Sequence, residues 1–291
     1  MPIDLRQRLG VRIFAVLFVL VSQAAAQVNV RLRTEHRRYL LFEPIPVRVR
    51  IENEGRAPLV FGGAGANATL RVHMDLAPDR PVARTDEPVL AEPLEVPAGG
   101  AQVVRLDLLQ LFHLTESGPI AVTVAVETGG AEYWSGRLLL DVLPGMLFQE
   151  FEARAPDDPE GRRLYQLRGL GRDGGEHLFL RVDDPLAKTC RGVFDLGSSL
   201  RVWKPRMLMD ADGLLYILHQ SAPQRLTLTI YDDVDRVART TFFSTTNLPP
   251  DLIRTKEGAV RVINVAPYQG DPMPMPMRIE TGPSNRLPAR R

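Results

Sequence analysis

The stretch Val47-Arg48-Val49-Arg50-Ile51-Glu52, followed by Asn53-Glu54-Gly55, decides the fold. Its apolar and charged side chains alternate with period two, which places one face of a β-strand in a core and the other in water. Asn and Gly tolerate positive φ, so we expect the strand to end in a turn there. The run Val28–Arg33 alternates in the same way. Both runs predict strands of a half-buried antiparallel sheet.

Similar runs fill the rest of the first half of the chain. They lie at 69–74, 101–106, 120–127 and 137–142, and turn clusters at 97–100 and 128–130 separate them. About six or seven short strands without a long helical pattern predict an antiparallel β-sandwich. We expect this domain to span residues 27–143.

A second all-β domain of successive hairpins is predicted for residues 146–268. From Arg206 onward, apolar runs alternate with turns at 210–213, 232–235 and 256–258, about 22 to 24 residues apart. That spacing is typical of one hairpin plus its return connection. The pattern is similar to one and a half blades of a β-propeller, but it is too short to close a ring. A small sandwich, a meander or a partial barrel is therefore expected, and the chain is predicted to be all-β.

Two segments of the first domain, 39–55 and 108–127, resemble bacterial extracellular immunoglobulin-like domains. In the first, the Glu43-Pro44 pair leads into the alternating strand; in the second, a short helical corner and Gly118 precede a late strand. Such domains often carry Tyr soon after the late Gly, whereas this chain has Ile120, so a tyrosine corner is not available at that position. The resemblance implies an immunoglobulin-like sandwich with an adhesion, scaffolding or inhibitor role.

Residues 1–26 have the pattern of a cleaved secretory signal. Three arginines precede the apolar run 13–21, and small residues, Ala24 and Ala26 among them, follow it. Nine apolar residues rise only ~14 Å as a helix, against roughly 30 Å of membrane hydrocarbon. We expect cleavage between Ala26 and Gln27, export to the periplasm or the extracellular space, and no membrane span in the processed chain.

Charge and cysteine content exclude several function classes. Without residues 1–26, the chain has 33 basic and 34 acidic side chains. This balance provides no electrostatic basis for binding nucleic acid or anionic lipid. Cys190 is the only cysteine, so an internal disulfide is impossible, and we expect its thiol to be buried.

No motif in the sequence carries a catalytic, cofactor or metal signature. The histidines are scattered singly and lack the spacing of a metal site: His36, His73, His113, His177 and His219. The string Gly197–Leu200 lacks the second glycine of a serine nucleophile elbow. We therefore predict no catalytic, cofactor-binding or metal-binding residue and no cofactor. His219, at the end of an apolar strand, and Cys190 are the residues on which an enzymatic alternative depends.

Two weaker patterns and the two tryptophans have alternative interpretations. Aspartates at hairpin tips either form turns or bind calcium: Asp210, Asp212, Asp232, Asp233 and Asp235. Met273, Met275 and Met277 belong either to a solvated tail or to a site for cuprous ion. Proline-rich residues 269–291 are predicted to be disordered. Trp134 and Trp203 are predicted to be core or edge aromatics.

The sequence favours an exported, non-catalytic binding or scaffolding protein of the bacterial cell envelope. Its partner is an unknown protein or envelope component. One alternative is an inhibitor or binder of secreted proteases, which requires a protruding loop. The other is an enzyme with its site on the second domain, which requires a concave pocket holding His219 or Cys190 beside a carboxylate.

Overall fold

The computed structural model describes residues 28–77, 79–156, 158–172, 174–234, 237–270 and 285–286. This part of the chain consists almost entirely of strands in mainly antiparallel sheets, which confirms the predicted all-β class. The signal segment 1–26, its cleavage site at Ala26 and Gln27, and the three methionines of the tail lie outside it. Among the described residues, no helix has the length and apolar character required to cross a membrane.

The first unit, residues 28–143, contains eleven strands and one short helix. In chain order they are β1 (Val28–Thr34), β2 (Arg38–Leu40), β3 (Pro46–Asn53), β4 (Leu59–Phe61), β5 (Ala68–Leu76), β6 (Arg80–Pro81), β7 (Leu94–Val96), β8 (Ala101–Asp107), α1 (Leu108–Leu111), β9 (Gly118–Thr128), β10 (Ala131–Trp134) and β11 (Leu138–Leu143).

Two sheets of this unit share one apolar core. One sheet has the order β1-β3-β8, and the other has the order β2-β11-β9-β5-β4-β7, with β6 beside β5 and β10 beside β9. The predicted alternation is present in β3, where Val47, Val49 and Ile51 are buried and the arginines between them are exposed. The inward-facing residues of both sheets belong to the same cluster. The burial of these strands therefore follows the period-two alternation of apolar and polar residues in the sequence.

The turn after β3 uses a side chain instead of positive φ. Asn53 is buried; its Oδ1 accepts the Gly55 N–H at 3.0 Å and its Nδ2 donates to the Ala57 carbonyl at 2.9 Å. Neither Asn53 nor Gly55 has positive φ. The turn signal was thus correct, but hydrogen bonding of the asparagine explains it.

The second unit begins at Met146. Its strands are β12 (Met146–Ala155), β13 (Asp158–Arg172), β14 (Gly175–Asp184), β15 (Thr189–Ser199), β16 (Arg206–Met209), β17 (Leu215–Ala222), β18 (Arg225–Asp232), β19 (Val237–Thr245), β20 (Asp251–Arg254), β21 (Val260–Ile263), β22 (Val265–Pro267) and β23 (Asn285–Arg286).

Strands of the second unit form two stacked antiparallel meanders. Strands β12 to β15 form one and β16 to β19 the other, and β22 extends the second. Tyr165, Leu180 and Phe194 of the first meander share a core with Ile217 and Tyr231 of the second. The hairpin β20-β21 shares another core with the second meander. Of the arrangements left open by the sequence, the second unit is therefore a meander whose strands stack in two layers.

The first meander is also buried on its other face. Within the described ranges, no strand pairing joins the first unit to the second. Four residues of the second unit nevertheless belong to the core of the first: Leu170, Phe179, Cys190 and Val193. The division into domains at 143 and 146 thus coincides with a change of sheet, while apolar packing continues across it. We call this contact between the units the junction.

The end of the chain contributes one short pairing. Asn285 and Arg286 pair with Cys190 and Thr189 at the edge of the first meander. Residues 271–284 and 287–291 lie outside the described residues, so disorder of the tail stays a prediction.

Candidate functional sites

The lone cysteine lies at the junction as a sealed thiol. Cys190 is buried, and its Sγ lies 3.8 Å from the Val182 carbonyl and 3.7 Å from the Gly192 carbonyl. Burial raises the pKa of this thiol well above its ordinary value, and the nearby Asp183 carboxylate adds to the rise. Because the thiolate is the reactive form, the thiol is inert in the native fold.

His219 lies inside the second unit, between the two meanders. It is buried, and neither of its ring nitrogens has a hydrogen-bond partner among the described residues. Burial lowers the pKa of the imidazole to about 4, so the ring is neutral at pH 7. Neither His219 nor Cys190 lines one of the depressions found on the described surface.

Three of the hairpin-tip aspartates, Asp210, Asp232 and Asp233, have structural partners. Asp210 accepts the backbone N–H groups of Asp212 and Leu214 at 3.0 and 2.8 Å, so its carboxylate holds its own turn. Asp232 does the same for the Val234 N–H at 2.9 Å. Asp235 lies outside the described residues. No group of three potential metal-ligating side chains occurs within the described ranges.

The other aspartate of this group belongs to a buried ion-pair cluster. Asp233 accepts from Arg163 at 3.1 Å and from the Tyr231 hydroxyl at 3.0 Å, and Arg163 also donates to Asp184 at 3.1 Å. Arg163 and Asp233 are both almost inaccessible to solvent. This cluster fastens β13 to the turn after β18, and it explains Asp233 without a metal ion.

Ser198 and Ser199 do not form a nucleophile elbow. They end β15, where Ser199 is buried and its hydroxyl has no hydrogen-bond partner among the described atoms.

An ionic network crosses the junction between the units. Arg172 of β13 donates to Glu43, which lies between β2 and β3, at 2.6 Å and also pairs with Asp195 of β15. His177 Nδ1 lies 3.1 Å from the same Asp195 carboxylate. The Arg172 side chain is 2 % exposed and that of Glu43 is 11 % exposed. This chain of charges is the main polar contact between the units.

Glu43 also fixes the loop that carries it. Its Oε2 accepts the Leu40 N–H at 2.8 Å, and the preceding Phe42 has a φ of 73°. The Phe42 ring lies under the Arg181 guanidinium, 4.7 Å from ring centroid to the guanidinium carbon. Burial raises the pKa of the Glu43 carboxyl, while the Arg172 guanidinium opposes the rise. A positive φ at Phe42 is strained, so these contacts hold a costly conformation in place.

A depression opens beside this network. It has a volume of about 530 Å³ and is lined by Arg37 and Arg38 of the first unit and by Gly171, Arg172 and 174–176 of the second. The Arg38 guanidinium donates to the Gly171 carbonyl at 3.3 Å. We call it the junction depression, because both units contribute to it.

An exposed aromatic surface lies on the outer face of the first unit. Trp134 of β10 is 51 % exposed, and its ring lies 5.1 Å from that of His73 on β5, between centroids. Ala125 of β9 pairs with Trp134 and is buried, and Leu139 of β11 is 64 % exposed. Trp203, by contrast, packs against the core around the β20-β21 hairpin. We call the group of Arg71, His73, Trp134 and Leu139 the Trp134 face.

Two carboxylates on this face pair with its arginine. Arg71 pairs with Glu127 and lies 3.3 Å from Glu132, and all three side chains remain well exposed. Sequence analysis missed both this face and the junction network. Arg71, His73 and Trp134 all lie on the solvent-facing side of their strands, and this is the sequence feature from which the face could have been predicted. The junction network has no comparable feature in the sequence.

Comparisons with known proteins give no family. No family model and no curated protein matches the chain. A solved structure that it resembles is that of Spo0M, a sporulation control protein from Bacillus subtilis, with 11 % sequence identity and a TM-score of 0.25. That similarity covers 75 % of this chain and 90 % of the other. At this level of similarity, no function is transferred.

Proposed function

We propose that this protein is an exported, non-catalytic binding module of the bacterial cell envelope and that it binds another protein through the Trp134 face. The single observation that carries the proposal is a half-exposed tryptophan on an open sheet surface. Tryptophan and arginine are the residues most enriched in the energetic centres of protein interfaces. Leu139 adds an exposed apolar side chain on the same sheet.

The charges of the Trp134 face favour a protein over a nucleic acid or an anionic membrane as its partner. Arg71 is paired with carboxylates on the neighbouring strands, so the face carries no unpaired basic side chain for a phosphate backbone or an anionic lipid. A partner with an apolar protrusion gains most by covering Trp134.

Site-specific photo-crosslinking in the bacterial host tests the proposal. A photoreactive phenylalanine is placed at Leu139 and, as a matched control, at Leu186, which is 65 % exposed on the second unit. We expect an adduct of one discrete mass from position 139 alone, lost when Trp134→Ala is added. Equal adducts from both positions, no adduct, or an adduct unaffected by Trp134→Ala would each contradict the proposal.

Export is tested separately, by cell fractionation. We propose that the processed protein is found outside the cytoplasm and that deleting residues 1–26 retains it inside. Immunoglobulin-like classification of the first unit belongs to the same proposal. It is supported by the face-to-face packing of its two sheets in one core.

A further inference from the structure

Arginines dominate the outer face of the sheet β1-β3-β8. Cross-strand register places Arg33 opposite Arg48 and Arg48 opposite Arg105. In the next row, Arg31 lies opposite Arg50. All five residues are exposed, and we call them the arginine face. Because like charges directly opposite each other on neighbouring strands destabilise a sheet, this arrangement lowers the stability of the first unit.

The carboxylates near the arginine face leave two of its members without a counter-ion. Glu35 and Glu52 pair with the other three arginines. Asp107, at the end of β8, instead accepts a backbone N–H as the N-cap of α1. Arg33 and Arg105 make no ion pair or hydrogen bond with any described residue. Every acidic side chain of residues 28–143 is among the described ones, so none of this unit is missing from the count.

The hydrogen bonds between β3 and β8 alternate in a pattern that is fixed at both ends. Asn53 donates its backbone N–H to the Gly100 carbonyl at 2.8 Å, and Leu108 donates to the Ile45 carbonyl at 3.1 Å. In an antiparallel pair, every second residue bonds to the partner strand, and the residues between point their N–H and C=O groups to the other side. The backbone groups that bond to β3 therefore belong to the even-numbered residues of β8.

The odd-numbered residues of β8 form an open edge. Their N–H and C=O groups, at Ala101, Val103 and Arg105, point away from β3, and no hydrogen bond to them is formed by the described residues. Val103 is 51 % exposed. A row of unpaired backbone groups on an edge strand is a template for another strand.

Protection of this edge does not explain the arginine face. Charged side chains on edge strands often prevent unwanted strand pairing. Arg48 and Arg50, however, lie on the central strand β3, which has no free edge. The edge strand β8 itself has a single arginine and no proline, and its pairing with β3 contains no bulge.

We propose that the open edge of β8 binds an extended acidic segment of a partner protein as an added strand. The backbone groups of Val103 and Arg105 pair with those of the segment. Alternate side chains of the segment then lie on the arginine face, where a carboxylate opposite Arg105 forms a cross-strand pair. The remaining arginines favour further carboxylates along the segment. This surface belongs to the other sheet of the first unit, so the inference does not depend on the Trp134 face.

Charge and side-chain chemistry disfavour the other occupants of this edge. A second copy paired through its own β8 would join two arginine faces in one sheet. Residues 271–291 contain four arginines and two acidic residues, so the tail of the chain does not complement the face. Strands β1, β3 and β8 contain no aromatic side chain on which a nucleic-acid base could stack.

Fluorescence anisotropy with a labelled peptide and the full chain tests the proposal. The probe is a seven-residue peptide in which glutamate and threonine alternate. One control peptide has lysine in place of each glutamate. The other is N-methylated at each glutamate, so it keeps its charges but cannot donate from those residues to β8. We expect both controls to bind at least tenfold more weakly than the probe. Equal binding of either control, or no binding of the probe, would overturn the proposal.

Two pairs of variants locate the site. Val103→Pro removes an N–H that points to the open edge and does not bond to β3, whereas Val103→Thr keeps it. We expect Val103→Pro to weaken binding of the probe at least tenfold and Val103→Thr to leave it within twofold. Arg105→Gln is expected to weaken binding at least fivefold, whereas Arg137→Gln, at an exposed arginine elsewhere on the unit, leaves it unchanged. Equal binding within either pair would refute the site.

Folding and self-association are measured with the same proteins. Urea midpoints establish which variants fold, and the N-methylated peptide tests strand pairing on the unaltered chain whatever Val103→Pro does to folding. Polyphosphate that binds as tightly as the probe would show a general anion surface. A dimer that Val103→Pro dissociates would show a second copy at the edge. Either result would overturn the proposal of an acidic segment.

Discussion

Replacing Arg172 with methionine removes the guanidinium from the junction network and keeps an unbranched side chain of similar length. The substitution leaves Glu43 as an uncompensated carboxylate that is 11 % exposed. Removing one partner of a buried ion pair costs about 3 to 5 kcal/mol. Glu43 keeps its bond from the Leu40 N–H, and Asp195 is 34 % exposed and keeps His177. We therefore expect the free energy of unfolding to fall by about 3 kcal/mol at pH 7.

Two comparisons isolate the buried charge. The double variant Glu43→Gln with Arg172→Met has no unpaired carboxylate at position 43. Its loss of unfolding free energy is therefore expected to be smaller, about 1 to 2 kcal/mol. Arg206→Met is the matched surface control: Arg206 pairs with Asp251 at 2.7 Å, but its side chain is 49 % exposed. Exposed pairs contribute little, so that loss should stay below about 1 kcal/mol.

The pH dependence of the stability loss in Arg172→Met identifies Glu43 as the buried carboxylate that has lost its partner. Burial raises the pKa of this carboxyl above its ordinary 4.5, and losing the guanidinium raises it further. The folded variant then binds a proton at a pH where the unfolded chain does not. As the pH falls from the raised pKa of the variant toward the lower pKa that Glu43 has in the wild type, the variant regains stability relative to the wild type, by about 1.4 kcal/mol per pH unit. Above the raised pKa of the variant, its loss of unfolding free energy relative to the wild type is constant.

Urea unfolding followed by far-ultraviolet circular dichroism, at pH 7 and at pH 5, measures these differences. The reasoning is refuted if Arg172→Met loses no more stability than Arg206→Met, or if its deficit is the same at both pH values.

Four further outcomes are expected. His219 has its pKa lowered to about 4, so stability should fall as pH drops from 6.5 toward 4, by up to about 3 kcal/mol, and urea midpoints of His219→Leu should lack this fall. Cys190 should react with a chromogenic disulfide reagent only as fast as the protein unfolds, and at once in urea; rapid native labelling would contradict its burial. Gly145→Ala should cost about 2 kcal/mol, because φ is +68° and the new Cβ falls 2.4 Å from a leucine side chain, whereas Gly129→Ala, with φ +57° and open space, should cost about half as much in urea unfolding. Edman sequencing of the exported protein should begin at Gln27, and any other first residue would displace the cleavage site.

The junction shows where sequence reasoning ended. Glu43 was interpreted as part of a strand entry, and Arg172 was not singled out, because a charged residue beside turn-forming glycines is usually exposed. A strand pattern assumes one wet face, whereas the first meander is covered on both faces. Whether a charged residue faces water or a second unit depends on how the units dock, and no local pattern records that.

The Trp134 face shows a second limit of reasoning from the sequence. Alternation predicted a strand around Arg71 and His73, whereas Trp134 was predicted only as a core or edge aromatic. The proximity of the three residues depends on the register of β5, β9 and β10. Register brings residues about 60 positions apart in the chain onto one surface, as the 61 positions between Arg71 and Glu132 illustrate. The residue types were visible in the sequence, but the cluster was not.

The sequence by itself determined the all-β class, the strand around 47–52, the turn at Asn53 and the successive hairpins of the second half, because period two and turn chemistry are local properties of the chain. The sequence also predicted that the lone Cys190 thiol is buried, and the structure confirms it. Tertiary structure alone decided that His219 is buried, that Arg172 joins the two units, and that Arg37 and Arg38 lie beside the β13-β14 hairpin. Burial and pairing of charges are set by packing between distant segments, and the energies that govern them depend on that environment.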